Sequence, residues 1–247
     1  MIAIVKGTEP EGLKELREEC RQKGMSPEES FKMLRNPLKA EVIDCLKRDQ
    51  GQLCVYCMSR IPREDKDPGI PAQTIEHFIP LKPADGRDVS QGLDYQNLCA
   101  VCHGNVKRHI KGKRHNKNVE DLTCDKHRRN TEFRKINPCN AETLKTIFYT
   151  LDGEIDATDP DVRYDLVNTL NLNCSSSPIV TERKTALDGL ISDLGNIPEE
   201  QRQEYCLTVL KAFLDEKDPR APYVGILIWY LQSMLTALEN TNRKRGA

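Results

Sequence analysis

The chain has 247 residues, 38% hydrophobic and 30% charged, with a formal net charge of −1. This is a polar, globular composition with length for one large domain or two modest ones, and a real core in either case. No apolar run approaches the roughly 20 residues of a membrane-spanning helix, and "MIAIVKGTEPEG" has neither a basic leader nor a long apolar stretch, so the expectation is a cytoplasmic chain with no membrane contact.

The first fifty residues read as helical. Thr8 to Glu11 matches a capping box, and Leu13, Leu16 and Cys20 keep helical spacing up to Gly24. Ser26 and Pro27 open a second helix as cap and first residue. Leu38, Val42, Cys45 and Leu46 mark one face of a third, over residues 37–48, before Gly51 breaks the pattern.

From residue 53 to residue 138 the character changes. "LCVYCMSRIP" reads as a knuckle leading into a short strand, "REDKDPGIPA" as a loop and "TIEHFIPL" as a second strand. An Asp/Gly-rich loop follows, then "DYQNLCAVCHG" and a basic segment. Beyond it, "TLKTIFYTLDGEIDAT" alternates about Asp152-Gly153, a hairpin signal. Helices are expected from Asp159-Pro160, over 181–194 with Gly195 as stop, over 198–214 and over 222–238. The last contains "YVGILIWYL", apolar nearly all round, which reads as a core helix or as a docking surface for a partner.

Charge and cysteine are unevenly spread. Between His103 and Lys135 there are eleven Lys/Arg against four Asp/Glu, and all five histidines fall between His77 and His127. A solvated loop explains the charges alone; the histidines and cysteines beside them shift the reading toward a polyanion-binding site. Of ten cysteines, Cys20, Cys45, Cys139, Cys174 and Cys206 are scattered and read as ordinary buried thiols. Cys54, Cys57, Cys99, Cys102 and Cys124 are clustered. Two CxxC pairs, Cys54-Val-Tyr-Cys57 and Cys99-Ala-Val-Cys102, are a strong signal for structural zinc, because thiolates at this spacing fill two corners of a tetrahedron from one turn.

A closed thiolate site leaves no open position for catalysis, so chemistry needs a second, harder cation such as Mg²⁺ or Mn²⁺ held by carboxylate or imidazole. Glu76-His77 offers a carboxylate and a base together. Adjacent strand residues point to opposite faces, so at least one of the two should face solvent or serve a site.

The ordered series Cys54-x-x-Cys57, Glu76-His77-x-x-Pro80, Tyr95-x-Asn97-Leu98-x-x-x-Cys102 resembles the HNH nucleases of the zinc-bearing ββα-metal type. In that family an Asp-His pair ends the first strand, an Asn-Leu follows, and a cysteine sits five residues past the Asn, which favours Cys102 over Cys99 as the third zinc ligand. Asn105 stands where the family has the next cysteine; Cys124, in "TCDKHRRN", resembles that second half displaced by a basic insertion. The insertion, with "LKAEVIDCLKRDQGQLCVYC", "YTLDGEI" and "LNLN", is similar to the HNH proteins of Septu (PtuB-type) anti-phage systems, some of them retron-associated.

This resemblance implies an α+β fold, a zinc-bound, treble-clef-like ββα core within a mostly helical protein. It would comprise a helical segment (1–50), the nuclease core with its basic insertion (51–138) and a hairpin with a helical tail (139–247). It implies Cys54, Cys57, Cys102 and Cys124 as zinc ligands, with Cys99 as the alternative, and His77 as general base. Glu76, in place of the usual Asp, would be one ligand of the catalytic Mg²⁺ or Mn²⁺. Asp125 or His127 would be the other, and Asn97 would brace the loop that orients His77. Lys107, Arg108, Lys111, Lys113, Arg114, Lys126, Arg128 and Arg129 would hold the backbone of DNA or RNA. It also implies an ABC-type (PtuA-type) ATPase partner, expected to dock on the helical tail, and in retron systems a reverse transcriptase with its RNA–DNA product. The contrasting expectation is a zinc-stabilised nucleic-acid or partner-binding module without catalysis.

Overall fold

A computed structural model of the chain describes residues 1–61, 73–82, 85–86, 92–106 and 118–245. The fold is α+β, about half helical with two small antiparallel sheets.

Three helices lead in. α1 (Glu11–Gln22) buries Leu13 and Cys20, and α2 (Pro27–Met33) starts from a full capping box between Ser26 and Glu29. α3 (Leu38–Asp49) buries Val42 and Leu46. The expected cap at Thr8 is not formed: Pro10 is the N-cap of α1 and no side chain caps it. Pro10 carbonyl accepts from Leu13 and Lys14 instead, and Glu9 is committed to a two-pronged ion pair with Arg17.

The chain then enters the Cys54–Cys57 knuckle, where the expected strand reduces to a single bridge between Leu53 and Arg60. β1 (Gln73–His77) pairs antiparallel with β2 (Leu98–Cys102), with Gln73 opposite Cys102 and His77 opposite Leu98. β1 stops at His77 rather than running on to Leu81. The Asn97 carbonyl and side chain take over the ladder there, bonding Phe78 N at 2.8 Å and Ile79 N at 2.6 Å. α4 (Cys124–Arg128) packs on β2 and completes a β–β–α unit.

α3 locks onto this unit through Gln50. Its amide donates to Leu53 and Ala100 carbonyls at 2.8 and 2.7 Å and accepts from Ala100 N at 2.8 Å. A buried side chain thus completes the edge of β2, where orphaned backbone groups would be costly.

The second sheet is the hairpin β3 (Ile147–Tyr149) and β4 (Ile155–Ala157), turning at Asp152-Gly153 as its sequence requires. α5 (Pro160–Tyr164) is capped by Asp159 and runs into one π-helical turn, Asp165–Thr169. α6 (Ile179–Gly195), α7 (Arg202–Asp215) and α8 (Val224–Arg245) follow. α8 is a core helix: Val224, Ile226 and Leu231 are fully buried within the cluster that holds Leu13, Leu46, Leu98 and Leu166. Among the described residues no helix is long and apolar enough to cross a membrane.

Candidate metal centre and carboxylate cluster

Two groups of side chains share the β1–β2–α4 unit. The first is four cysteines. Cys54 and Cys57 come from the knuckle, closed by Met58 N to Cys54 carbonyl at 3.0 Å; Cys102 ends β2 and Cys124 opens α4. All four are buried and their Sγ atoms lie within 4.8 Å of one another, so they can hold a metal ion. The Cys57–Cys102 and Cys102–Cys124 sulfurs are each 3.8 Å apart. Tetrahedral Zn–thiolate bonds of about 2.3 Å place sulfurs about 3.8 Å apart, so the donor set fits zinc.

Two donors face the sulfurs. Gly104 N donates to Cys102 Sγ at 3.4 Å, and Ser59 Oγ sits 3.2 Å from Cys57 Sγ. Hydrogen bonds from Cys102, Cys124 and Cys54 pull Cys57 well below the usual thiol range, while burial pushes Cys54, and hydrogen bonds to the neighbouring thiols push Cys124, well above it. Cys124 has φ of 54°, the left-handed region, a conformation kept only where surrounding contacts over-determine it.

Cys99 is outside the cluster. It stands three residues before Cys102 on the same strand, hence on the opposite face, and pairs in register with Glu76. Burial pushes its thiol up to about 12. Of the scattered cysteines, Cys139 is exposed and Cys45 half-buried, which corrects their reading as buried thiols; a turn around Asn137 and Asn140 carries Cys139 outward.

The second group is built on charge. Glu76 and His77 are both buried, 7% and 8% exposed, so neither face of β1 here is open to solvent. Glu76 accepts from Tyr56 Oη at 3.4 Å and forms an ion pair with the Arg128 guanidinium. The Asp125 carboxyl lies beside it. Burial, and then the Asp125 contact, raise Glu76 well above the usual carboxylate range. For Asp125 burial acts upward too, but the neighbouring Glu76 and the Lys126 and Arg128 charges outweigh it, and its carboxyl is held below its ordinary value.

His77 lies on the other face of β1, edge-on to Phe31 at 4.4 Å, with Nε2 2.8 Å from Gly92 carbonyl. A carbonyl only accepts, so Nε2 carries the hydrogen and Nδ1 keeps its lone pair. Burial lowers the His77 pKa, favouring the neutral imidazole. Gly92 is required: it has φ of +77°, and a side chain there would run into the Pro27 carbonyl. Asn97 clamps Ile79 from both sides, accepting from its N–H and donating Nδ2 to its carbonyl at 2.9 Å, and so fixes the chain just beyond His77.

Of the expected basic contacts, Lys107, Arg108, Lys111, Lys113 and Arg114 lie outside the described residues. Arg129 is exposed, and Lys126 is half-buried with Nζ 2.6 Å from Asp125. Arg128 is a correction. Expected as a backbone-binding surface residue, it is 1% exposed. Besides Glu76 it donates to Phe78 carbonyl at 2.6 Å, Thr131 carbonyl at 2.8 Å and Tyr56 Oη at 3.2 Å, and it lies over the Phe133 ring at 4.2 Å. It stands three residues after Asp125 on α4, on the face turned toward Glu76. His127 points elsewhere: its Nδ1 meets Thr169 carbonyl at 2.9 Å. The structure therefore brings Glu76 together with Asp125 rather than with His127.

Tyr56 and Gly92 belong to this site and were not singled out by sequence; Arg128 was, but for a surface role. The helical period offered a signal for Arg128, which follows the buried Cys124 by four residues. No protein-family model matches the chain, and no curated protein matches it either.

Proposed function

We propose that the chain is a metal-dependent HNH endonuclease that hydrolyses phosphodiester bonds of DNA or RNA. The observation that supports this is the pair of buried carboxyls, Glu76 on β1 and Asp125 on α4, with a neutral His77 next to Glu76 in the chain and a four-thiol cluster of zinc dimensions beside them. Structural zinc would be held by Cys54, Cys57, Cys102 and Cys124. Glu76 and Asp125 would hold Mg²⁺ or Mn²⁺, which when bound supplies positive charge at the scissile phosphate.

His77 accepts the proton of the attacking water at Nδ1, while its Nε2–H stays on the Gly92 carbonyl. General-base assistance of this kind contributes about 10²–10⁴-fold. Arg128 keeps the Glu76 carboxylate oriented, and Asn97 keeps the residues after His77 from shifting. By the same resemblance, the chain is an effector of anti-phage defence in the cytoplasm. Its partners there are an ABC-type ATPase and, in retron systems, a reverse transcriptase with its RNA–DNA product.

A second reading has its own support. Arg128 already balances Glu76, so the cluster also makes sense as a buried ion pair in a zinc-stabilised binding module without catalysis. The test is cleavage by protein purified from its host with its partners, wild type against His77→Ala, with Mg²⁺ or Mn²⁺. The substrates are plasmid, single-stranded DNA and total RNA. Cutting by the wild type alone establishes the nuclease and names the polymer. Equal cutting removes His77 from the mechanism, and no cutting by either favours the binding module.

A further inference from the structure

A cavity of about 280 Å³ opens next to the carboxylate cluster without including Glu76, His77 or Asp125. One wall is the residues that follow His77, Phe78 to Pro80, and the other the turn after α4 with Phe133, Asn137, Asn140 and Thr143. Phe78 and Phe133 are half-buried and stacked, their ring planes 20° apart and centroids 5.7 Å apart. Both are held by the guanidinium that grips Glu76: Arg128 lies over Phe133 and donates to the Phe78 carbonyl.

The polar groups of the cavity are matched to one kind of ligand. Asn137 Oδ1 accepts from Cys139 N at 2.9 Å and Asn140 Oδ1 from Glu142 N at 3.0 Å, which fixes both amides and turns their Nδ2 groups into oriented donors. Thr143 Oγ1 bonds the Asn137 and Asn140 backbone and holds the turn in shape. Arg134, Lys135 and Glu132 also border the cavity, and Asp161 and Asp159 already pair with the two cations, so recognition falls to the aromatic wall and amide donors rather than to net charge. Flat ring faces with amide donors suit a nucleobase, which stacks on aromatics and offers ring nitrogens and carbonyls as acceptors; they suit a phosphate poorly.

We propose that this cavity receives one unstacked nucleobase of a single-stranded nucleic acid, adjoining the phosphate presented to His77; the polymer it names rests on the nuclease reading above. A base must leave the duplex stack to enter such a pocket, so the strand is a single strand, a loop or a frayed end.

The experiment compares binding of labelled single strands, intact and fully abasic, DNA and RNA, to the full zinc-loaded chain by fluorescence anisotropy without added Mg²⁺ or Mn²⁺. Asn137→Asp and Asn140→Asp keep the acceptor that each turn needs and remove the donor; unchanged zinc content and melting confirm that they fold. The wild type is expected to bind intact strands about tenfold more tightly than abasic ones, and each variant to lose most of that difference. Equal binding of intact and abasic strands, retention of the preference by both variants, or no binding to either strand overturns the proposal. Cleavage without base preference leaves the nuclease standing and the cavity assignment refuted; base preference without cleavage does the reverse.

Discussion

Cys124 and Asp125 are neighbours in the chain, yet they serve clusters that balance charge in opposite ways. The four thiols meet one another and two neutral donors, Ser59 and the Gly104 amide. The carboxyls meet cations of the chain itself, Arg128 on Glu76 and Lys126 on Asp125. Ionising the thiol cluster therefore calls for a cation from solution, and its assembly is tied to metal binding. The carboxylate cluster carries its own counter-charge and stays assembled whether or not a further cation binds. One site is a set of thiols that could hold a metal ion; the other is an acidic pair that carries its own cations.

The contrast breaks most sharply at the thiols. Cys102→Ser or Cys124→Ser should abolish bound zinc by elemental analysis and unfold the β–β–α unit by circular dichroism, since such sites bind zinc with about 10–16 kcal/mol. Cys99→Ser should keep its zinc, being on the other face of β2.

The carboxylate side should fail by a smaller margin. Arg128→Met leaves Glu76 buried without its cation and should cost about 3–5 kcal/mol in urea unfolding, with the zinc retained. Adding Glu76→Gln should recover part of that loss, because a neutral amide asks less of its neighbours. An additive double mutant would mean that the two side chains act independently.

Smaller still is a pH effect. The Glu76 pKa is raised by burial and by Asp125, so the unfolded chain ionises first as pH rises. The protonated Glu76 contributes fully below about 4.3, the ordinary glutamate value, and its contribution is lost upward from there to its folded pKa. In the absence of Mg²⁺ and Mn²⁺, wild type should lose stability relative to Glu76→Gln across that window; parallel melting curves at all pH values would remove Glu76 as the titrating group. The smallest effect is expected for Lys126→Ala, whose half-buried ion pair should be worth under about 1 kcal/mol and fade with added salt.

Much of the architecture was legible because it is local. Ser26 and Glu29 form a capping box over three residues, and Asp152-Gly153 turns a hairpin by its own geometry. The thiol cluster could be read in part because CxxC pairs signal metal ligands by spacing; the preference for Cys102 over Cys99, and Cys124 as the fourth ligand, came from the HNH resemblance, with Cys99 left as the alternative, and the structure gathers Cys102 and Cys124. The carboxylate cluster was legible as a set of residues but not as an environment. Glu76 meets Arg128 across fifty-two positions, and nothing near either residue announces the contact. In "KHRR" the basic residues look alike, yet the helical turn sends Arg128 inward and leaves Arg129, at φ of 56°, exposed. Thr8 was misleading for a related reason: it has the right neighbours for a cap, but Glu9 and Pro10 are committed elsewhere.

The π-helical turn at Asp165–Thr169 does more than widen a helix. The Asp165 carboxylate accepts from three successive backbone amides, Arg134, Lys135 and Ile136, at 2.8 to 3.0 Å. Just after it, the Leu170 carbonyl accepts from Cys124 N at 2.8 Å, and Asn171 holds Glu120 and Leu122 carbonyls. The stretches on both sides of α4 are thus fastened to the start of the helical tail. In amide hydrogen exchange Cys124 and the tail should therefore behave as one cooperative unit, the amide protons of Cys124 and Ile136 exchanging only when that tail opens.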